Sequence, residues 1–182
     1  MIVIIEGMDR CGKSTLVDSL RKHVMTDPGT FVHHSVSPPK NVKDPNKWEL
    51  DNYRALIDFA GGAAAGDQSI LFDRFHLGAY VYGVKYRGQS ENIIAEIEDY
   101  YPAFKNDAIL ITLVDYPSAI VERDDDDSIE STEEDFAETY KSFIRAFMDS
   151  KIEKKIMLNI TEIGGFKNLL PRVERFIDEN SQ

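Results

Sequence analysis

The sequence predicts an α/β fold, a parallel sheet of about five strands covered by helices on both faces, within a single domain over residues 1–182. Two observations predict it. Short apolar, β-branched runs alternate with longer stretches whose apolar residues recur at helical spacing. A glycine-rich loop also separates the first strand from the first helix, the order that builds a right-handed parallel crossover.

Taken in order, Ile2-Val3-Ile4-Ile5 reads as a buried parallel strand. Leu16, Val17, Leu20 and Val24 give the first helix its buried stripe, and Asp27-Pro28-Gly29 ends it in a turn. Phe31 to Val36 forms a second strand, and Ser37-Pro38-Pro39-Lys40 forces an extended segment after it. Asp44-Pro45-Asn46 starts a helix with Tyr53, Leu56, Ile57 and Ala60 inward, which Gly61-Gly62 and Gly66-Asp67 end. Ser69-Ile70-Leu71-Phe72 is the third strand. Ile93, Ile94, Ile97 and Tyr100 mark a helix, and Ala108 to Val114 is the fourth strand. A helix from Pro117 to Arg123 meets the acidic run Asp124 to Asp127. Phe136, Tyr140, Phe143, Ile144 and Phe147 share one face of a long helix. Lys155 to Ile160 is the last strand, and Phe166, Leu169, Leu170, Val173, Phe176 and Ile177 lie on the final helix.

Gly7-Met8-Asp9-Arg10-Cys11-Gly12-Lys13-Ser14-Thr15 fits G-x-x-x-x-G-K-[ST], and it sits between a strand and a helix, the context that gives the pattern meaning. Gly7 and Gly12 let the backbone curl so that its N–H groups, with Cys11 and Thr15 in the curl, face phosphate oxygens at a helix N-terminus. Lys13 reaches the β- and γ-phosphates and Ser14 ligates Mg²⁺. The fold is therefore expected to be the three-layer P-loop NTPase type. Asp73-Arg74-Phe75 follows a buried strand directly. An Asp there holds the Mg²⁺ shell, and the planar fork of Arg74 suits a phosphate. Ligands in such sheets bind at the carboxyl ends of strands, so the loop, Ser35, Asp73-Arg74 and Asp115 should converge.

These residues resemble the thymidylate kinase family of P-loop nucleotide kinases. Glu6-Gly7-Met8-Asp9-Arg10-Cys11-Gly12-Lys13-Ser14-Thr15 is similar to that family's E-G-x-D-x-x-G-K-S-T loop. Asp73-Arg74-Phe75, with Ala79-Tyr80-Val81-Tyr82 behind it, is similar to its D-R-[YH] segment. Leu113-Val114-Asp115-Tyr116-Pro117, followed by Glu122-Arg123, resembles the run that leads into its lid. The resemblance implies ATP as donor and a deoxynucleoside monophosphate as acceptor. It places Lys13 and Ser14 on ATP phosphates and Mg²⁺, Asp9 near the acceptor 3′-hydroxyl, Arg74 on the acceptor phosphate and Arg123 at the start of a lid spanning about 123–132. Trp48, Tyr53, Arg54 and Tyr82 are its candidates for contact with the acceptor, and Tyr53 reads equally as a core aromatic. A homodimer is the expected assembly.

One branch of the family carries its catalytic arginine in the P-loop and leaves the lid without one. Arg10 is in the loop, and Asp124-Asp125-Asp126-Asp127-Ser128 carries no base, so Arg10 is the expected transition-state cation. The acidic run reads as the anionic N-terminus of the helix from Thr132 rather than as a Mg²⁺ site. Three departures bear on the acceptor. His34-Ser35-Val36-Ser37-Pro38-Pro39-Lys40 lacks the family's loop arginine, leaving His34 or Lys40 to serve. Gly78 and Gly83 stand where the family has a serine and a glutamine or threonine near the base. The acceptor is expected to be dTMP or a related or modified pyrimidine deoxynucleotide, and the missing contacts also leave room for a broader substrate range.

The net charge of −11 argues against a broad nucleic-acid-binding face. No apolar run approaches a membrane span, and the chain enters a strand at once, so neither an anchor nor a secretory leader is expected. The one cysteine, Cys11, reads as a small loop filler, and the expected location is the cytoplasm. A kinase for a hydroxyl, on a nucleoside or a modified base in DNA, is the alternative. It wants a carboxylate base, and His33-His34-Ser35 offers none at the second strand. A GTPase-type switch lacks its N-K-x-D motif after a late strand.

Overall fold

The computed structural model describes residues 1–23, 29–123 and 130–181. Its centre is β1 (Ile2–Gly7), all of whose residues are buried. A strand covered on both faces belongs in the middle of a parallel sheet. β3 (Ser69–Asp73) and β4 (Ala108–Val114) flank it, and β2 (Thr30–His34) and β5 (Lys154–Asn159) form the edges, in the order β2-β3-β1-β4-β5. All pairs are parallel, with Ile4 opposite Phe72 on one side and Leu110 on the other. The strand order reverses at β1, which puts a crevice at its carboxyl end.

One face carries α1 (Lys13–His23) and α8 (Leu169–Asn180), which pack on each other and on β1, β3 and β4. The other carries α2 (Pro45–Ala65) on β3, α3 (His76–Arg87) on β1, and α7 (Glu133–Asp149) on β4, with α4 (Ile93–Glu98) between α2 and α3. Short helices α5 (Phe104–Asp107) and α6 (Pro117–Val121) precede β4 and α7. Asp44 caps α2 by accepting from Lys47 N–H at 2.9 Å, with Pro45 in the first turn, and Thr132 caps α7 by accepting from Asp135 N–H at 3.1 Å. Val24, most of the Asp27-Pro28-Gly29 turn and the Asp124 to Asp127 run lie outside the described residues.

Several boundaries differ from the sequence reading. α2 runs through Gly61-Gly62 and ends at Gly66, because its packing against β3 and α4 outweighs the weak propensity of two glycines. α3 has no sequence expectation behind it. It is buried on nearly every side, from His76 through Val81, so it shows no amphipathic stripe. Tyr100 lies beyond α4 and half exposed, and β2 stops at His34.

β1 and α3 are joined by one side chain. Glu6, wholly buried, accepts at Oε1 from the N–H groups of Phe75 (2.8 Å), Leu77 (2.8 Å) and Gly78 (3.1 Å). It satisfies donors that the start of α3 leaves open. Gly78 suits this position, because a Cβ would lie 3.2 Å from Glu6 Oε2, tighter than an ordinary contact. Removing the carboxylate strands three buried N–H groups, so Glu6→Ala should lower unfolding free energy by about 3 kcal/mol or more, and Glu6→Gln by less, in urea titrations. Burial pushes this carboxyl above its ordinary value of 4.5, against the opposing charge of His76 and the three N–H groups. The folded chain therefore takes up this proton before the unfolded chain does. Wild type should gain stability relative to Glu6→Gln as pH falls from neutrality toward 4.5, and the opposite trend contradicts the assignment.

Candidate active site

The loop after β1 is shaped by two close approaches. At Gly7 (φ 135°) a Cβ would lie 2.0 Å from the Leu113 carbonyl oxygen of β4, and Met8 N–H donates to that oxygen at 3.0 Å. At Gly12 (φ 76°) a Cβ would lie 2.6 Å from the Phe166 ring. Lys13 opens α1 and is nearly buried. Its Nζ donates to Met8 O at 2.6 Å and lies 3.4 Å from Asp9 Oδ1. Burial lowers its proton affinity, and Asp9 opposes that shift. Ser14 and Thr15 are exposed in the first turn of α1.

Asp9 is the hinge of the site. Its Oδ1 also accepts from Arg74 Nη2 at 2.8 Å, so one carboxylate sits between the loop lysine and the arginine after β3. Arg74 and Arg10 both hold left-handed backbone, at φ 65° and 62°, and among the described residues Asp67 is the only other non-glycine that does so. Such strain costs on the order of 1–3 kcal/mol and persists where surrounding structure imposes it. Around Arg74 it is imposed by the Arg74 N–H bond to Ile5 O (2.9 Å) and by Phe75, whose buried ring meets Phe72 and Tyr53 at 4.6 and 4.8 Å. Arg10 lays its guanidinium over the Phe136 ring at 5.3 Å, in the first turn of α7.

On the β4 side, Asp115 is fully buried and pairs with Arg123. Burial pushes its carboxyl up, but the hydrogen bonds from Thr161, Arg123 and Tyr116 outweigh burial and hold it below the usual range. Arg123 also donates to the Arg10 carbonyl at 3.2 Å and covers the Phe166 ring at 5.0 Å. The root of the expected lid is thus tied to the loop.

Two hollows flank the loop. A cavity of about 240 Å³ is lined by Asp9, Arg74, Ser35, Ser37, Tyr53, Gly78, Tyr82, Glu49 and Arg87 among others. A more apolar groove of about 310 Å³ is lined by Gly12, Thr15, Leu16, Ser19, Phe166, Leu169 and Leu170. Of the acceptor candidates, Tyr53 and Tyr82 border the cavity. Tyr53 is also a core residue, 2% exposed, with its hydroxyl donating to Phe75 O at 3.1 Å. Trp48 and Arg54 do not border it. The cavity side of α2 carries Glu49 and Tyr53, one turn apart, and Arg54 points instead at Tyr100, 5.3 Å from its ring. His34 is turned to Asp73 (Nδ1 to Oδ2 2.8 Å), and Asp73 Oδ1 is buried without a hydrogen-bond partner among the described residues. Gly83 does not open the cavity. A Cβ there would lie 2.9 Å from the Gln89 side chain, which fills that space. Among the described residues no three acidic, histidine or cysteine side chains cluster as a metal cage, and no helix is long and apolar enough to cross a membrane.

No protein-family model matches the chain, and no curated protein matches its sequence. Solved structures do match it. One is the YorR protein of Bacillus subtilis in complex with phosphorylated GDP. It is 19% identical, covers 98% of this chain and 96% of its own, and has a TM-score of 0.73. Another is thymidylate kinase from Candida albicans, 15% identical, covering 99% of this chain and 92% of its own, with a TM-score of 0.58. The fold is that of thymidylate kinase-like P-loop kinases.

Phe166 and the Glu49–Arg87 pair are the site residues that motif reading missed, and Glu6, the first residue of the loop motif, was given no role by it. Phe166, after Gly164-Gly165 in the segment that follows β5 and in a 3-10 turn just before α8 rather than on that helix, carries a signal, since it follows a strand on the carboxyl edge of the sheet. Cys11 is buried, and desolvation pushes its thiol up to about 12. It should react with a disulfide reagent at neutral pH at least about 100-fold more slowly in the folded protein than in urea, where one equivalent reacts. Equal rates would mean that the loop opens readily.

Proposed function

We propose that the chain is an ATP-dependent deoxynucleoside monophosphate kinase, which moves the ATP γ-phosphoryl group onto an acceptor monophosphate. The observation that carries this reading is the pair of hollows on either side of the loop. The apolar groove against Gly12 and Phe166 suits a stacked donor base. The cavity against Asp9 and Arg74 suits an acceptor whose phosphate meets the Arg74 fork. Between them lies Lys13, buried on the loop that would hold the transferring group.

An acceptor phosphate oxygen attacks the γ-phosphorus as the bond to the β-phosphate oxygen breaks, and ADP leaves. The acceptor is already an anion, so positioning and charge stabilisation suffice. Lys13 and Arg10 supply the cations and Arg74 orients the acceptor phosphate. Asp9, engaged by two cations, orients rather than removes a proton, which disfavours a hydroxyl acceptor. The Ser14 hydroxyl and the orphaned Asp73 Oδ1 fit Mg²⁺, which takes oxygen ligands and keeps several waters; when bound, it would neutralise charge on the β- and γ-phosphates. The resemblance favours dTMP or a related pyrimidine as acceptor, a homodimer and a cytoplasmic location.

A phosphorylation screen of ATP against every deoxynucleoside monophosphate, the nucleosides and DNA tests the reading; transfer to nucleosides or DNA alone contradicts it. Within an active enzyme, Arg10→Ala should lower turnover on the order of 10³-fold, and neutralising Asp124 to Asp127 should cost far less. The reverse ranking moves the catalytic charge to the lid. Arg74→Lys keeps the charge but loses the planar fork. It should weaken the acceptor about tenfold in calorimetry and leave ATP within twofold. Weakened ATP with unchanged acceptor would assign Arg74 to the donor.

A further inference from the structure

The mechanism leaves one end of the acceptor cavity unused. α3 begins beside Arg74 and ends at Arg87, so the cavity runs along this helix from the phosphate fork to a second charged group. That group is Glu49, 4% exposed. Its Oε1 accepts from Arg87 Nη2 at 3.0 Å and its Oε2 from Gln89 Nε2 at 2.7 Å. The backbone makes room for the arrangement. A Cβ at Gly83 would lie 2.9 Å from the Gln89 Cβ and 3.3 Å from Arg87 Nη2, so a side chain at 83 would force Gln89 to shift.

Burying a carboxylate costs several kcal/mol, and an apolar residue on this face of α2 would pack without that cost. The ion pair also leaves the carboxylate incomplete. A carboxylate offers about four lone-pair positions, and Arg87 and Gln89 fill one on each oxygen. One acceptor position remains on each. Both Glu49 and Arg87 border the cavity, and Arg87 retains N–H donors beyond the one used. The end wall therefore carries two carboxylate oxygens with acceptor capacity left among the described residues, beside a guanidinium.

We propose that Glu49, held by Arg87 and Gln89, reads the acceptor base and selects guanine. Guanine presents two adjacent N–H donors, at N1 and N2, beside the O6 carbonyl. The donors match the two free positions of Glu49 and the carbonyl matches Arg87. Thymine and uracil carry a single N–H between two carbonyls, so one carboxylate oxygen would face a carbonyl oxygen. Adenine and cytosine set an amine beside an unprotonated ring nitrogen, which leaves the second acceptor position unpaired. A buried polar group left without its partner is what makes such a site reject the wrong base. The inference rests on reading this cavity as the acceptor site, and it departs from the pyrimidine that the resemblance favours.

The test is calorimetric titration of wild type with dGMP, dTMP, dAMP and dCMP separately, repeated with Glu49→Gln. Wild type should bind dGMP at least about tenfold more tightly than the other three. Glu49→Gln removes one acceptor position and should compress the difference between dGMP and dTMP by about tenfold or more, with ATP affinity unchanged as the check on folding. The wild-type ranking needs no variant to be decisive. Preference for another base, or an equal loss for all four in Glu49→Gln, overturns the assignment and makes the cluster a prop for the cavity wall. Binding of ATP with none of the four monophosphates is a different failure. It overturns the acceptor-site reading, and this inference with it.

Discussion

The buried carboxylate of Glu6 sits where two requirements meet. The glycine loop must leave β1 at its carboxyl end, and Arg74 must leave β3 beside it. Both segments are short and strained, with Arg10 and Arg74 in left-handed conformations. Glu6 accepts three N–H groups from the turn that follows Arg74, so the last turn of β1 and the first turn of α3 cannot move independently. Phe75 completes the joint. Its ring is locked among Phe72, Tyr53 and Phe104, and it fixes the residue next to Arg74 from the core side. The spacing between Lys13 and Arg74 is therefore a property of the core rather than of two exposed loops.

Charge is arranged with the same economy. The chain carries a net charge of −11, yet Lys13, Arg10, Arg74 and Arg123 all lie around one loop. Asp9 pairs with Lys13 and Arg74, Asp115 pairs with Arg123, and Arg10 lies over the Phe136 ring. A few focused cations in a crevice can bind polyphosphate against a repulsive global field. The arrangement also couples the two hollows. Asp9 touches Lys13 of the loop and Arg74 of the cavity, and Arg123 touches the Arg10 carbonyl and the Phe166 ring of the apolar groove.

Much of this was legible in the sequence because the signals are local. A β-branched strand, a glycine loop and a helical stripe identify the loop, and the alternation of strands and helices gives the parallel sheet. Asp73-Arg74 was legible for the same reason, since it directly follows a buried run. What was not legible depends on non-local contacts. α3 is buried on nearly every side and so shows no stripe, and Gly61-Gly62 sit inside a helix that tertiary packing sustains. Arg54 looked equivalent to Tyr53 in sequence, but one residue is about 100° around a helix, and it faces Tyr100 instead. Gly78 and Gly83 read as missing contacts. In the fold each is room for a partner distant in sequence or folded back, Glu6 and Gln89. A pair such as Glu49–Arg87 spans two helices and leaves no pattern in either.

Central to the proposed function is that donor and acceptor bind on opposite sides of a single loop in one chain. Binding of an analogue with two nucleosides joined through a chain of phosphates tests it most directly. Such an analogue spans both hollows and should bind at least about 100-fold more tightly than ATP or the acceptor monophosphate alone, since linking the two converts the second binding into an intramolecular event. Affinity no greater than that of ATP would contradict the claim, because only one hollow would then be a nucleotide site.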